Sequence, residues 1–249
     1  MKFYILSRLL AITIVLNSCS KLPEKGLNDN LANTISESQD FISLESNNVA
    51  PKKTLIFYPG GLVDPHSYLI WQDQLVSNSP DLRIVTVKMP SNLAVLNTQK
   101  GDLLFDEYKN TEQWIVAGHS LGGAMATNFV AENQSKIEAL IYLAAYPSDD
   151  RLKNFSNSIL SIYAENDGLS TIQDIEEHYG DLPSAYFMNT NTDFPSNLSN
   201  TTCYYLIEGG NHAQFGNYGE QDGDNPATIS REQQQSEFVT VISNYIESL

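Results

Sequence analysis

Short apolar runs alternate along the chain with stretches whose apolar residues recur every three or four positions. TLIFY at 54–58, RIVTVK at 83–88, QWIVA at 113–117, ALIYLA at 139–144, SILSIY at 158–163 and TCYYLI at 202–207 predict strands. The continuous apolar character of 139–144 is that of a parallel strand covered on both faces. Phe41–Leu44 predicts an edge strand. Helical spacing marks His66 to about Val76, Leu93 to Tyr108 with an interruption at Gly101, Ser120 to Glu132, Ile172 to Tyr179, and Arg231 to Ser248. Such alternation predicts an α/β domain, a mostly parallel central sheet flanked by helices, over 41–249. About a dozen residues separate the strands at 139–144 and 158–163, too few for a cap domain.

The first forty residues break this pattern. Lys2 and Arg8 precede the apolar run LLAITIVL, which ends in Asn17-Ser18-Cys19. The run is shorter than the roughly 20 apolar residues that span a bilayer. Its basic, apolar, small-residue order is that of a secretory leader over 1–18. Leu16-Asn17-Ser18-Cys19 resembles a bacterial lipobox, which implies that Cys19 carries lipid and opens the mature chain. Residues 19–40 then predict a lipidated flexible tether, long enough to hold the domain up to roughly 70 Å from a membrane. The expected location is the bacterial cell envelope, facing the periplasm or the exterior.

Charge narrows the partners. Lys+Arg 14 against Asp+Glu 30 gives −16, so nothing offers phosphates the cations that nucleic-acid binding requires. An anionic membrane surface would repel the body, leaving the lipid on Cys19 as its membrane link. With Cys19 acylated, Cys203 is the remaining thiol; it lies in an apolar run and is expected to be a buried small hydrophobe.

Candidate chemistry falls in loops that follow strands, where α/β sheets carry their sites. Gly118-His119-Ser120-Leu121-Gly122 fits G-x-S-x-G between a strand and a helix. The sharp turn excludes side chains at 118 and 122, lifts the Ser120 hydroxyl, and aims the N–H of Leu121 at a developing oxyanion. Asp167, in Ala164-Glu-Asn-Asp-Gly168, is the candidate carboxylate, with Glu165 as runner-up. His212, after the last strand, is the candidate base. Of the other histidines, His66 opens a helix, His178 sits in a polar stretch, and the side chain of His119 is expected to point away from the catalytic side. The chain order Ser, Asp, His is that of α/β-hydrolases. Pro59-Gly60-Gly61 supplies the second oxyanion position, with the N–H of Gly61 as donor and Leu62 as alternative. Residues 214–230, rich in Gly, Asn and Asp, are either one wall of the site or a solvated loop.

Tyr58-Pro-Gly-Gly-Leu-Val-Asp-Pro65, Met89-Pro-Ser-Asn-Leu-Ala-Val-Leu96 and Gly209-Gly-Asn-His-Ala-Gln-Phe-Gly216 are similar to signatures of the α/β-hydrolase fold-5, or dienelactone-hydrolase-like, family. The resemblance, over roughly 41–249, implies the hydrolase fold, a Ser120–Asp167–His212 triad and a small-molecule ester substrate. Dienelactone hydrolases proper use cysteine where this chain has Ser120, which argues against a dienelactone. The expected activity is carboxylic ester hydrolysis through an acyl-enzyme, with neither metal nor cofactor. Two alternatives stay open: a catalytically inactive binding lipoprotein, and an acyltransferase or peptidase using the same triad.

Overall fold

The computed structural model describes residues 21–24 and 31–249. The leader and Cys19 lie outside these described residues. Nine strands form one sheet in the order β1-β2-β4-β3-β5-β6-β7-β9-β8. They are β1 Thr34–Glu37, β2 Phe41–Glu45, β3 Lys53–Tyr58, β4 Leu82–Val87, β5 Gln113–His119, β6 Ile137–Leu143, β7 Ser158–Ala164, β8 Ser184–Phe187 and β9 Thr201–Ile207. β1 and β2 pair antiparallel, as do β2 and β4. Every other pairing is parallel.

Side-chain parity divides the core in two. Leu55 and Phe57 of β3, Ile115 and Ala117 of β5 and Ile141 of β6 face one layer. There α1 (Leu69–Asn78) crosses α5 (Arg231–Ser248), with Trp71 edge-on to Phe238 at 5.3 to 5.5 Å from its ring neighbours Phe57 and Phe238. Ile56, Tyr58, Val116, Leu140 and Tyr142 face the other layer. It holds α2 (Leu103–Glu107) and α3 (Leu121–Asn133). The remaining helix, α4 (Ile172–Glu177), starts with a capping box of Thr171 and Asp174 after the β7 turn. Residues 144–157, between β6 and β7, contain no helix or strand, so no cap domain stands there.

Three expectations are corrected. The folded domain begins before residue 41: β1 closes the sheet edge, and Asp73 on α1 accepts from the N–H groups of Ala32 and Asn33. The 21–24 part of the expected tether also packs on the domain, through a parallel bridge between Lys21 and Val63. Phe41–Glu45 is therefore an inner strand. The helix expected over 93–108, with its interruption at Gly101, is a series of single turns ending in the short α2, because the backbone turns extended at Leu93 (φ −127°) and Asn97 (φ −158°), while Gly101 lies inside a helical turn.

Candidate active site

Ser120 caps α3 with φ 53° and ψ −127°, a conformation rarely adopted by a residue with a side chain. The turn holds because glycines let the backbones meet. A Cβ on Gly122 would stand 2.2 Å from the carbonyl of Tyr58, and one on Gly118 2.6 Å from Gly123. The N–H of Ser120 donates to Leu143 C=O at 3.0 Å, fixing the elbow to the end of β6.

The two acidic candidates after β7 have different partners. Asp167 is buried, and its Oδ2 accepts from Nδ1 of His212 at 2.8 Å. Its Oδ1 accepts from the N–H groups of Leu169 (2.8 Å) and Ser170 (2.7 Å), which orients the carboxylate. Glu165 instead accepts from the N–H of Gly209 at 2.8 Å and holds the histidine loop in place. With Nδ1 engaged, His212 Nε2 carries the lone pair; it is buried and has no hydrogen-bond partner among the described residues. Asp167 and His212 are thus brought together, whereas no hydrogen bond closes between Ser120 and His212.

The oxyanion candidates also separate. The N–H of Leu62 is committed to Asn92 C=O at 2.7 Å, and that of Gly60 to the Tyr68 hydroxyl at 2.9 Å. Among the described residues, outside bonds internal to helices and strands, the amides of Gly61 and Leu121 are paired with no acceptor.

His119 departs from expectation. On β5 it shares the parity of Ile115 and Ala117, so its ring enters the α1/α5 layer, over which the histidine loop folds. Its centroid is 4.7 Å from that of His212 and 5.7 Å from Phe215. The Tyr68 hydroxyl, which accepts from Gly60, lies 3.0 Å from His119 Nδ1. Complete burial, then the neighbouring His212 charge, push the His119 pKa well below the ordinary histidine value. The other two histidines are held by partners as well. His66 pairs with Asp64 at 2.7 Å and Glu37 at 3.2 Å, and His178 stacks on Tyr146 at 4.4 Å.

Sequence reasoning missed Asp224. Its Oδ1 accepts from the N–H of Gly168 (3.1 Å) and of His212 (3.3 Å), and its Oδ2 from that of Ala213 (2.9 Å). One carboxylate therefore clamps the Asp167 turn to the His212 loop. Residues 223–229 lie across both: Thr228 N–H donates to Gly209 C=O at 2.7 Å, and Asn211 Nδ2 to Asn225 C=O at 2.8 Å. Gly168 permits the approach, since a Cβ there would meet the Gly223 carbonyl at 2.4 Å. The only hint in the sequence was the Gly- and Asp-rich composition of 214–230.

A family model described as alpha/beta hydrolase family matches residues 54–236. No curated protein matches the sequence. Among solved structures, a "predicted CIB-like hydrolase" from Thermoplasma acidophilum superposes with TM-score 0.61 at 11% identity, over 88% of this chain and 99% of that one. Est1E from Butyrivibrio proteoclasticus gives 0.58 at 11% identity, over 87% and 98%. MGS-MChE2, an alpha/beta hydrolase enzyme from a lagoon-sediment metagenome, gives 0.59 at 12% identity, over 86% and 98%. At these identities the superpositions establish the fold.

Proposed function

The chain belongs to the alpha/beta hydrolase family, and from that premise we infer that it is a serine hydrolase cleaving a carboxylic ester, or a related acyl bond, through an acyl-enzyme on Ser120. The observation that carries this reading is the buried 2.8 Å pair of Asp167 and His212 at the ends of β7 and β9, beside the strained Ser120 turn.

In this reading His212 Nε2 takes the Ser120 proton as Oγ attacks the carbonyl carbon. Asp167 holds the ring and stabilises the imidazolium that forms. The amides of Gly61 and Leu121 receive the oxyanion, each worth about 3 kcal/mol of barrier. Nε2 then returns the proton to the leaving alcohol. Water, activated by the same nitrogen, releases the acid and restores Ser120. The alignment of Asp167 by two amides, and of the His212 loop by Asp224, supports a base whose orientation is set before substrate arrives.

The test is release of p-nitrophenol from acetate, butyrate and octanoate esters, with fluorophosphonate labelling in parallel. Turnover and labelling are expected in the parent and absent in Ser120→Ala. A folded parent that does neither would instead leave the binding-lipoprotein reading. Transfer of the acyl group to an added alcohol, in place of free acid, would make the protein an acyltransferase.

The same reading gives Cys19 a lipid that keeps the enzyme on a bacterial membrane, on the evidence of the residue order before it. Cys19→Ser is expected to change the mature mass and move the protein into the aqueous fraction. Unchanged mass and partitioning would exclude lipidation.

A further inference from the structure

Residues 21–24 are built into the rim of the candidate site. Lys21 N–H donates to Leu62 C=O at 2.6 Å, and Asp64 N–H donates back to Lys21 C=O at 2.8 Å. Leu62 also donates to Asn92 C=O at 2.7 Å. The residue next to Gly61 is thus bonded on one side to the N-terminal segment and on the other to the loop after β4. Further along, Glu24 N–H donates to Asn217 C=O at 2.9 Å, and Lys21 Nζ to Glu220 C=O at 3.0 Å. The Glu24 carboxylate pairs with Arg231 at 2.9 Å. Residues 21–24 therefore run from the oxyanion turn to the loop beyond His212, along the carboxyl-end edge of the sheet.

Of the large apolar side chains that face water, three lie on segments bonded to or following this rim; the others, among them Leu103 and Phe187, lie on other segments. Leu22 is 68% exposed, Val95 47% and Leu96 58%. Val95 and Leu96 belong to the turn after Asn92, which packs against α3, the helix that Ser120 opens. Exposed apolar groups gathered beside a site mark an interaction surface.

We propose that the candidate active site faces the membrane that holds the Cys19 lipid, with Leu22, Val95 and Leu96 seated in its interfacial layer, and that the substrate is an acyl ester residing in that membrane. The proposal rests on the serine-hydrolase and lipid-anchor readings above. Cys19 is two residues from Lys21, so fixing Lys21 at the rim leaves the lipid about 7 Å of chain. A free twenty-residue tether would let the domain tumble; this short one sets which face meets the bilayer. With a net charge of −16 the body is repelled less by a zwitterionic surface than by an anionic one.

The test uses the lipidated full chain in phosphatidylcholine vesicles, beside a variant with a Gly/Ser insert between Ser20 and Lys21. Both should hydrolyse aqueous p-nitrophenyl acetate at the same rate. On a fluorogenic long-chain ester dissolved in the vesicles, the insert should be about tenfold slower or more, since it dilutes the site away from the surface. Orientation is read separately. Cys203 is buried, so a dye can be placed at Leu96→Cys or, at the opposite edge, at exposed Asn110→Cys. Nitroxide lipid should quench the first and spare the second. Equal rates on the vesicle ester, or equal quenching, would overturn the proposal. If neither chain reacts with acetate or fluorophosphonate, the hydrolase reading has failed, and the quenching still decides the orientation. If wild type and Cys19→Ser partition alike, the lipid-anchor reading fails and takes the proposal with it.

Discussion

Asp224 shows how one side chain can set the geometry of two loops. Asp224→Asn keeps its size but places an amide donor where a backbone N–H now points. Activity per live site, counted by fluorophosphonate titration, is expected to fall by up to about 100-fold with little change in KM. An unchanged rate per live site would make Asp224 structural only. The two acids of β7 should separate cleanly: Asp167→Asn lowers kcat by about 10⁴-fold, whereas Glu165→Gln keeps an oxygen for Gly209 and most of the rate. His119 gives a pH signature. Its folded pKa lies well below 6.5, so as pH falls through 6.5 the unfolded chain gains a proton that the native state refuses. The stability that it contributes is present above that pH and lost below it. His119→Gln is therefore expected to lose less Tm between pH 7 and pH 5 than the parent. An equal or larger loss would contradict the assignment. The strained Ser120 turn and the pairing of Asp167 with His212 were readable because glycine turns and chain order announce them. His119 and Asp224 were not, because their surroundings come from a loop folding back over β5 and, for Asp224, from a backbone amide 56 residues away.

At the scale of elements, the inner strands β3 to β7 and β9 were legible nearly to the residue. Burial on both faces leaves them a continuous apolar signal. β1 (TISE) and β8 (SAYF) were not legible, because each is a four-residue edge strand, largely exposed and so without such a pattern. β1 was read as tether for the same reason that it is soluble at an edge: its residues are polar. The expected helix over 93–108 shows the opposite error, where apolar spacing was present but the backbone turns extended at Leu93 and Asn97 and divides the run into single turns. The α1–α5 contact is the clearest energetic joint between distant elements. Phe238→Ala removes a fully buried ring that meets Trp71 and Phe215, and should cost about 3–5 kcal/mol. The shift in urea midpoint measures it; a loss under about 1 kcal/mol would mean that α5 docks through other residues.

For the molecule as a whole, the surplus of 16 negative charges is a self-repulsion that the fold must bear. Raising ionic strength from about 10 mM to 150 mM shortens the screening length to about 8 Å. The Tm is expected to rise over that range. A fall would mean that ion pairs such as Arg83–Glu45 and Lys100–Asp40 outweigh the repulsion. The packing of α1 against α5 has a further consequence, in time instead of space. Gln234 on α5 donates to Asn211 C=O and accepts from its N–H, and Gln235 donates to Gln214 C=O. The His212 loop is therefore held by a helix that follows it in the chain. A growing chain presents the Ser120 turn well before α5 exists, so the His212 loop gains its Gln234 and Gln235 hydrogen bonds only once that helix has been made and has docked.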